Sequence, residues 1–297
     1  MVRKLSRGDI GYLAVCYLVT TLAGLMCLYP LLHVLFSSFS EGEALARHTG
    51  VMFRPAGFSL RGYQLVLKNR NIPIGYFNTL LNMALGTALN MLMTVVGAYA
   101  LSRKGYMFRR TINLLIVFTM YFSGGLIPLY LQVKNLGLYN SPLAMIIPSA
   151  ISIYNVLILR SFFMYGVPKS LEEAALLDGA NTAQMLWRVI LPLVKPTLAV
   201  LVLYYAIGHW NDYFSALIFL KDKELMPLQT ILRDVLITGK IDMASSGMEM
   251  EAVIQKLKTA QTLKYSVIVV STVPLMLVYP FIQKYFVKGI MLGAVKG

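Results

Sequence analysis

The chain has 297 residues, 57% of them hydrophobic and only 13% charged, with a formal net charge of +14. Ordinary soluble domains carry about 25% charged residues, so a water-soluble globule is excluded as the home of this much apolar surface. The positive charge does not point to nucleic acid either, because the basic residues sit in loops between long apolar runs, where membrane topology accounts for them.

A helix needs about 20 mostly apolar residues to cross a ~30 Å hydrocarbon layer, and six stretches meet that length. The first runs from Ile10 to about Ser38 without a charge. It is too long for a signal peptide and lacks a convincing cleavage pattern, so it is expected to stay as a first span. Its Cys16 and Cys27 would lie about 16 Å apart on a helix, too far for a disulfide, and read as small apolar fillers. The second span covers about 77–101 and the third 111–131, interrupted by Gly124, Gly125 and Pro128. The fourth, about 142–164, contains Pro148 and is broken by Arg160 near its end. The fifth, 196–220, carries one charge, Asp212. The sixth, 265–283, contains Pro274 and Pro280. In lipid the backbone must satisfy its own hydrogen bonds, which favours helices, and the alternation of a barrel strand is missing. The expected fold class is an all-α membrane protein of six transmembrane helices in a single domain.

Short loops set the orientation. The segment 102–110 holds Arg103, Lys104, Arg109 and Arg110, whereas 132–141 holds only Lys134. The first is therefore expected in the cytoplasm and the second outside. Alternation then places both termini in the cytoplasm, in keeping with Arg3, Lys4 and Arg7 at one end and Lys284, Lys288 and Lys296 at the other. The long loops 41–76 and 221–264 fall outside, and 165–195 inside.

That inner loop is the most informative stretch. Ser170 followed by Glu173 predicts a capping box and a helix from Leu171, with Leu171, Ala174, Ala175 and Asp178 on or beside one face. Gly179 suits the left-handed position that ends a helix. Asn181 or Thr182 can cap a second helix, with Ala183, Leu186, Trp187 and Ile190 on one side and Pro192 as its stop. The result is a helix–turn–helix elbow. Physically it is either a docking knob or an amphipathic hairpin on the lipid surface.

The spacing Glu173-Ala174-Ala175, Gly179, Val189, Leu191-Pro192 resembles the EAA signature of ABC importer permeases, with Val189 where that pattern has isoleucine. The segment 122–131, the Trp210-Asn211 pair and the tail 279–297 resemble carbohydrate permeases of the maltose-transporter type, closest to the complex-oligosaccharide subgroup. The resemblance implies a type I ABC importer fold in which residues 168–192 form a coupling loop docked on a separate ATPase. Glu173, Ala174, Ala175, Asp178, Gly179, Ala180, Leu191 and Pro192 would carry that coupling, with Gly179 at the tip and Glu173 paired to a basic residue of the ATPase. The implied partners are a second, homologous permease subunit, two ATPase subunits and an extracytoplasmic solute-binding protein, in a bacterial inner membrane. The cargo would be a sugar or oligosaccharide. The outer basic residues Arg47, Arg54, Arg61, Lys68 and Arg70 either touch the binding protein or line a solvated loop.

No Gly-x-x-x-x-Gly-Lys-Ser/Thr loop occurs, so ATP and Mg are expected on the partner subunits, and no cofactor on this chain. His33, His48 and His209 are scattered and suggest no metal site. The fifth span supplies the candidate substrate path: Tyr204, Tyr205, His209, Trp210, Asn211, Asp212 and Tyr213, with Tyr121 from the third. Aromatic faces and a few polar anchors suit a sugar. Tyr and Trp also mark membrane interfaces, and Asp212 is equally a candidate structural partner. An importer for a non-sugar solute remains an alternative. An ion-coupled transporter is a weaker one, because it calls for carboxylates in several spans and only Asp212 lies in one.

Overall fold

The computed structural model describes residues 7–103, 105, 107–234, 262–280 and 283. These residues form helices and connecting turns, with no strand beyond one isolated bridge, Ser40–Phe58. Among the described residues, three helices are long and apolar enough to cross a membrane: Gly8–Ser38, Asn71–Ser102 and Thr262–Pro280. Two sharply bent pairs raise the number to as many as five.

The chain divides into two compact units, Met1–Asn69 with Leu232–Val273, and Arg70–Ile231 with Pro274–Gly297. In the first, the long N-terminal helix Arg7–Ser38 runs through Pro30. Ser266 donates to the carbonyl of Ser38 at 3.3 Å, and the ring of Tyr265 meets His33 edge-on at 6.0 Å. Gly62 is needed here because a Cβ would collide with the Ser266 side chain. The 41–60 loop folds back through Phe39, whose ring stacks on Phe58 at 6.0 Å. Cys16 and Cys27 are both free thiols.

The second unit is organised around Asn71–Ser102, 32 residues long and so about 48 Å from end to end. Two helices pack along it, Ile153–Tyr165 and Lys195–Asn211. The third apolar stretch is broken, as its glycines predict. Arg109–Tyr121 and Leu126–Asn135 meet at 108° across 122–125, and Gly125 takes φ +85°. The fourth stretch is divided around Pro148 into Leu143–Ile146 and Ile153–Tyr165, the latter only 13 residues long. The fifth, expected to be continuous over 196–220, is not: Lys195–Asn211 ends and Phe214–Phe219 begins after two non-helical residues. At the restart Asp212 Oδ1 accepts from the Ser215 N–H at 3.1 Å, satisfying an otherwise orphan donor in the first turn of Phe214–Phe219. The sixth helix passes through Pro274 without a break. Most of the 221–264 loop and of the 279–297 tail lies outside the described residues.

Loops at the N-terminal end of Asn71–Ser102 are stitched by side chains. Asn78 donates to the carbonyls of Glu224 and Met226 at 2.7 and 3.2 Å, and Thr79 accepts from the Leu228 N–H at 2.8 Å. Asn140, at φ +58°, accepts from the N–H groups of Lys221 and Asp222 at 2.9 and 3.0 Å and donates to Asp222 Oδ2 at 2.8 Å. Asn140→Ala removes all three bonds at a backbone angle alanine resists. It is expected to lower stability by about 1–3 kcal/mol, read as a lower unfolding midpoint of the purified protein in detergent.

Candidate functional site

The elbow starts at Lys169, two residues before the expected helix start. Pro168 occupies the position before it, with φ −62° and ψ 128°, and the buried Val167 anchors the approach. Ser170 and Glu173 therefore lie inside the first two turns, and the expected capping box between them does not form. The helix Lys169–Leu177 ends as its glycine requires. Gly179 takes φ +77° and donates to Leu176 at 3.0 Å, and Ala180 donates to Ala175 at 2.9 Å. Those two bonds form the Schellman pattern.

Asn181, rather than Thr182, caps the second helix in a reciprocal box with Gln184, at 2.9 and 3.0 Å. This helix runs Thr182–Leu193, so Pro192 does not stop it. Its missing N–H and its ring are accommodated by a wider π-turn over Met185–Ile190, the usual adjustment upstream of a helical proline. The turn comes later, at Val194, where the chain bends by 86° into Lys195–Asn211. Met185, Leu186 and Ile190 are buried, but Trp187, expected beside them, is 60% exposed, and Ala183 is exposed too.

The elbow is thus rooted in the helical unit. Met185, Leu186, Ile190 and Leu191, with Ala175 at their edge, share one apolar cluster with Val95, Ala98 and Tyr99 of Asn71–Ser102 and with Leu159 and Phe163 of Ile153–Tyr165. The rest of the elbow faces outward. Glu173, Ala174, Asp178 and Gly179 are exposed, as are Leu176, Leu177 and Trp187. Glu173 has no hydrogen-bond or ion-pair partner among the described residues, whereas its neighbour Glu172 binds Arg103 at 2.7 Å. Arg160 donates from Nε to the Leu101 carbonyl at 3.0 Å, satisfying one of the orphan acceptors at the end of the long helix.

The candidate path residues separate into two groups. Tyr205, His209 and Trp210 are buried on the side of Lys195–Asn211 that faces Asn71–Ser102. There Tyr205 and His209 join a polar seam. Asn90 donates to the Ser149 carbonyl, which fixes its Oδ1 toward His209 Nε2 at 2.7 Å. The Tyr205 hydroxyl bonds Thr94 Oγ1 at 2.6 Å and accepts from the Ser152 N–H at 3.4 Å. Ser149 and Ser152 belong to the interruption around Pro148, so the seam supplies partners for backbone outside the helices. Polar side chains also hold helices together in lipid, where no hydrophobic force separates protein from solvent. Trp210 meets Tyr76 edge-on at 6.1 Å. The second group is outward: Tyr121, Tyr204, Asn211 and Tyr213 are exposed, and Asp212 is half-buried at its cap. Asn90, Thr94, Arg103 and Glu172 were missed by the sequence reading. The signal for the seam was present as Thr79, Asn82, Gly86, Asn90 and Thr94, small or polar residues at helical spacing in an apolar run.

The comparison with known proteins decides what kind of protein this broken, apolar helical unit belongs to. Residues 72–292 match the family described as binding-protein-dependent transport system inner membrane component. The chain belongs to this family. The permease is 40% identical to the polygalacturonan/rhamnogalacturonan transport system permease protein YtcP of Bacillus subtilis (strain 168), over 92% of this chain and 94% of that one. It is 38% identical to protein LplC of the same organism, over 92% and 91%. Among solved structures it is similar, with TM-score 0.83 and 33% identity over 95% of this chain and 98% of the other, to a bacterial ABC transporter involved in import of the acidic polysaccharide alginate. The permease is a transporter subunit and not a catalyst.

Proposed function

We propose that the permease forms half of the translocation path of an ATP-driven importer for oligosaccharides that carry uronate residues. A second permease subunit completes the path, two ATPases dock on elbows of the 168–192 kind, and an extracytoplasmic binding protein delivers the cargo. The observation that carries this reading is the elbow itself: rooted in the helical unit through Ile190, yet presenting Leu177 at 90% exposure beside a Glu173 with no partner among the described residues. An exposed apolar patch with a charge at its edge fits a protein partner better than water.

The topology proposed is six spans with both termini in the cytoplasm of a bacterial inner membrane. Gly8–Ser38, whose apolar window is wholly uncovered, lies against lipid or the second permease. The wall of the path is assigned to Tyr121, Tyr204, Asn211 and Tyr213, with Tyr205, His209, Trp210 and Asp212 holding that wall in shape. The acidic cargo follows from the relatives, which are named for polygalacturonan/rhamnogalacturonan and for the acidic polysaccharide alginate.

The reading is tested by co-expressing the permease with its companion subunits and measuring uptake into proteoliposomes loaded with ATP. Vanadate-sensitive uptake of an oligogalacturonate, displaced by excess unlabelled oligogalacturonate and not by a neutral maltooligosaccharide, is the expected result. Uptake that follows a proton or sodium gradient without ATP would overturn it.

A further inference from the structure

The elbow carries two adjacent carboxylates, and only the outward one, Glu173, belongs to the docking reading. Glu172 faces the other way. Its carboxylate is gripped by both terminal nitrogens of Arg103, at 2.7 and 3.4 Å, a forked geometry that resists rotation as well as separation. Arg103 is the residue immediately after the helix Asn71–Ser102. Its Nε donates to Ser102 Oγ at 3.1 Å, and its guanidinium lies 4.6 Å over the Tyr99 ring. Tyr99 in turn meets Phe163 edge-on at 6.3 Å inside the core. The pair is not a loose surface contact, since the two side chains are only 33% and 22% exposed. Both ends also match the helix dipoles, with an acid in the first turn of Lys169–Leu177 and a cation at the end of the long helix.

We infer that Arg103 and Glu172 are the strut through which movement of the elbow reaches the long helix Asn71–Ser102. The inference rests on the docking role proposed for the elbow. The apolar cluster under the elbow resists compression but permits sliding, because dispersion contacts are individually weak and carry no direction. A forked ion pair held by a ring and a hydroxyl fixes direction. It joins the first turn of the elbow to the end of the helix whose middle forms the seam with Tyr205 and His209. A stroke on the elbow is thereby delivered to the helix that holds the interruption at Pro148 in place. Arg103 and Glu172 are positioning residues: they touch neither ATPase nor cargo.

The test uses the complete reconstituted importer with Glu172→Gln, Arg103→Gln and the double variant. Co-purification of the ATPase and its basal hydrolysis are read first. Hydrolysis stimulated by loaded binding protein, and uptake, are read second. The expected result is normal co-purification and basal hydrolysis in all three, with stimulation and uptake reduced by about tenfold in each single variant and no further in the double, as a shared interaction requires. Unchanged stimulation in Glu172→Gln, additive losses in the double variant, or loss of ATPase binding in step with uptake would each overturn the strut. Failure of the unmodified permease to retain an ATPase at all would instead overturn the docking role beneath it.

Discussion

Glu173→Ala is expected to leave the permease folded in the membrane and to abolish ATP-driven uptake. The carboxylate is exposed and unpartnered among the described residues, and alanine is the better helix former, so the subunit alone loses almost nothing. In the assembly proposed above, the same carboxylate is buried against a basic group of the ATPase. Removing one member of a desolvated interfacial pair costs about 2–5 kcal/mol, which is about 30-fold to several thousand-fold in affinity. Thermal unfolding of the purified subunit should not move, whereas ATPase co-purification and vesicle uptake should both collapse. Normal uptake would mean that Glu173 is merely a solvated helix residue.

The second large effect lies at Gly86. A Cβ there would overlap Nε2 and Cε1 of His209, and the ring cannot swing aside without breaking its bond to Asn90. Gly86→Leu therefore adds overpacking, about 1–3 kcal/mol, to the loss of a buried hydrogen bond that leaves its partners unsatisfied, about 1–3 kcal/mol more. The expected outcome is a sharp fall in the amount of folded permease extracted in mild detergent, or an unfolding midpoint many degrees lower. Gly208→Ala, one position from His209 but open to space, should behave as the unmodified protein. If Gly86→Leu is equally silent, the two helices do not pack as closely as the seam requires.

The two predictions show what the sequence carried and what it withheld. Gly179 was legible because a left-handed cap is local chemistry, and Asn181 was legible as one of two cap candidates, but the capping box expected at Ser170–Glu173 forms instead at Asn181–Gln184. The long apolar helices were legible because lipid sets their length. Pro192 stands one residue before the helix ends at Leu193, and the wider turn upstream of it, Met185–Ile190, lies in one apolar cluster with Val95 and Leu159. Trp187 was expected on one side with Leu186 and Ile190, which are buried, but is itself 60% exposed. The break at Asp212 looked like a charge in a span, yet the carboxylate accepts from the Ser215 N–H. Glu172 and Arg103 are 69 positions apart, and no spacing rule links them. His209 and Tyr205 read equally well as wall or as support, and their partners, Asn90 and Thr94, lie more than a hundred residues away.

The account turns on whether the elbow faces the cytoplasm and is covered by the motor. A permease with Cys16 and Cys27 replaced by serine and Leu177 by cysteine puts one thiol on the most exposed apolar residue of the elbow. A membrane-impermeant maleimide should label it in inside-out vesicles and not in right-side-out ones, and bound ATPase should abolish that labelling. Equal labelling with and without the ATPase, or labelling from the outer side, would contradict the account.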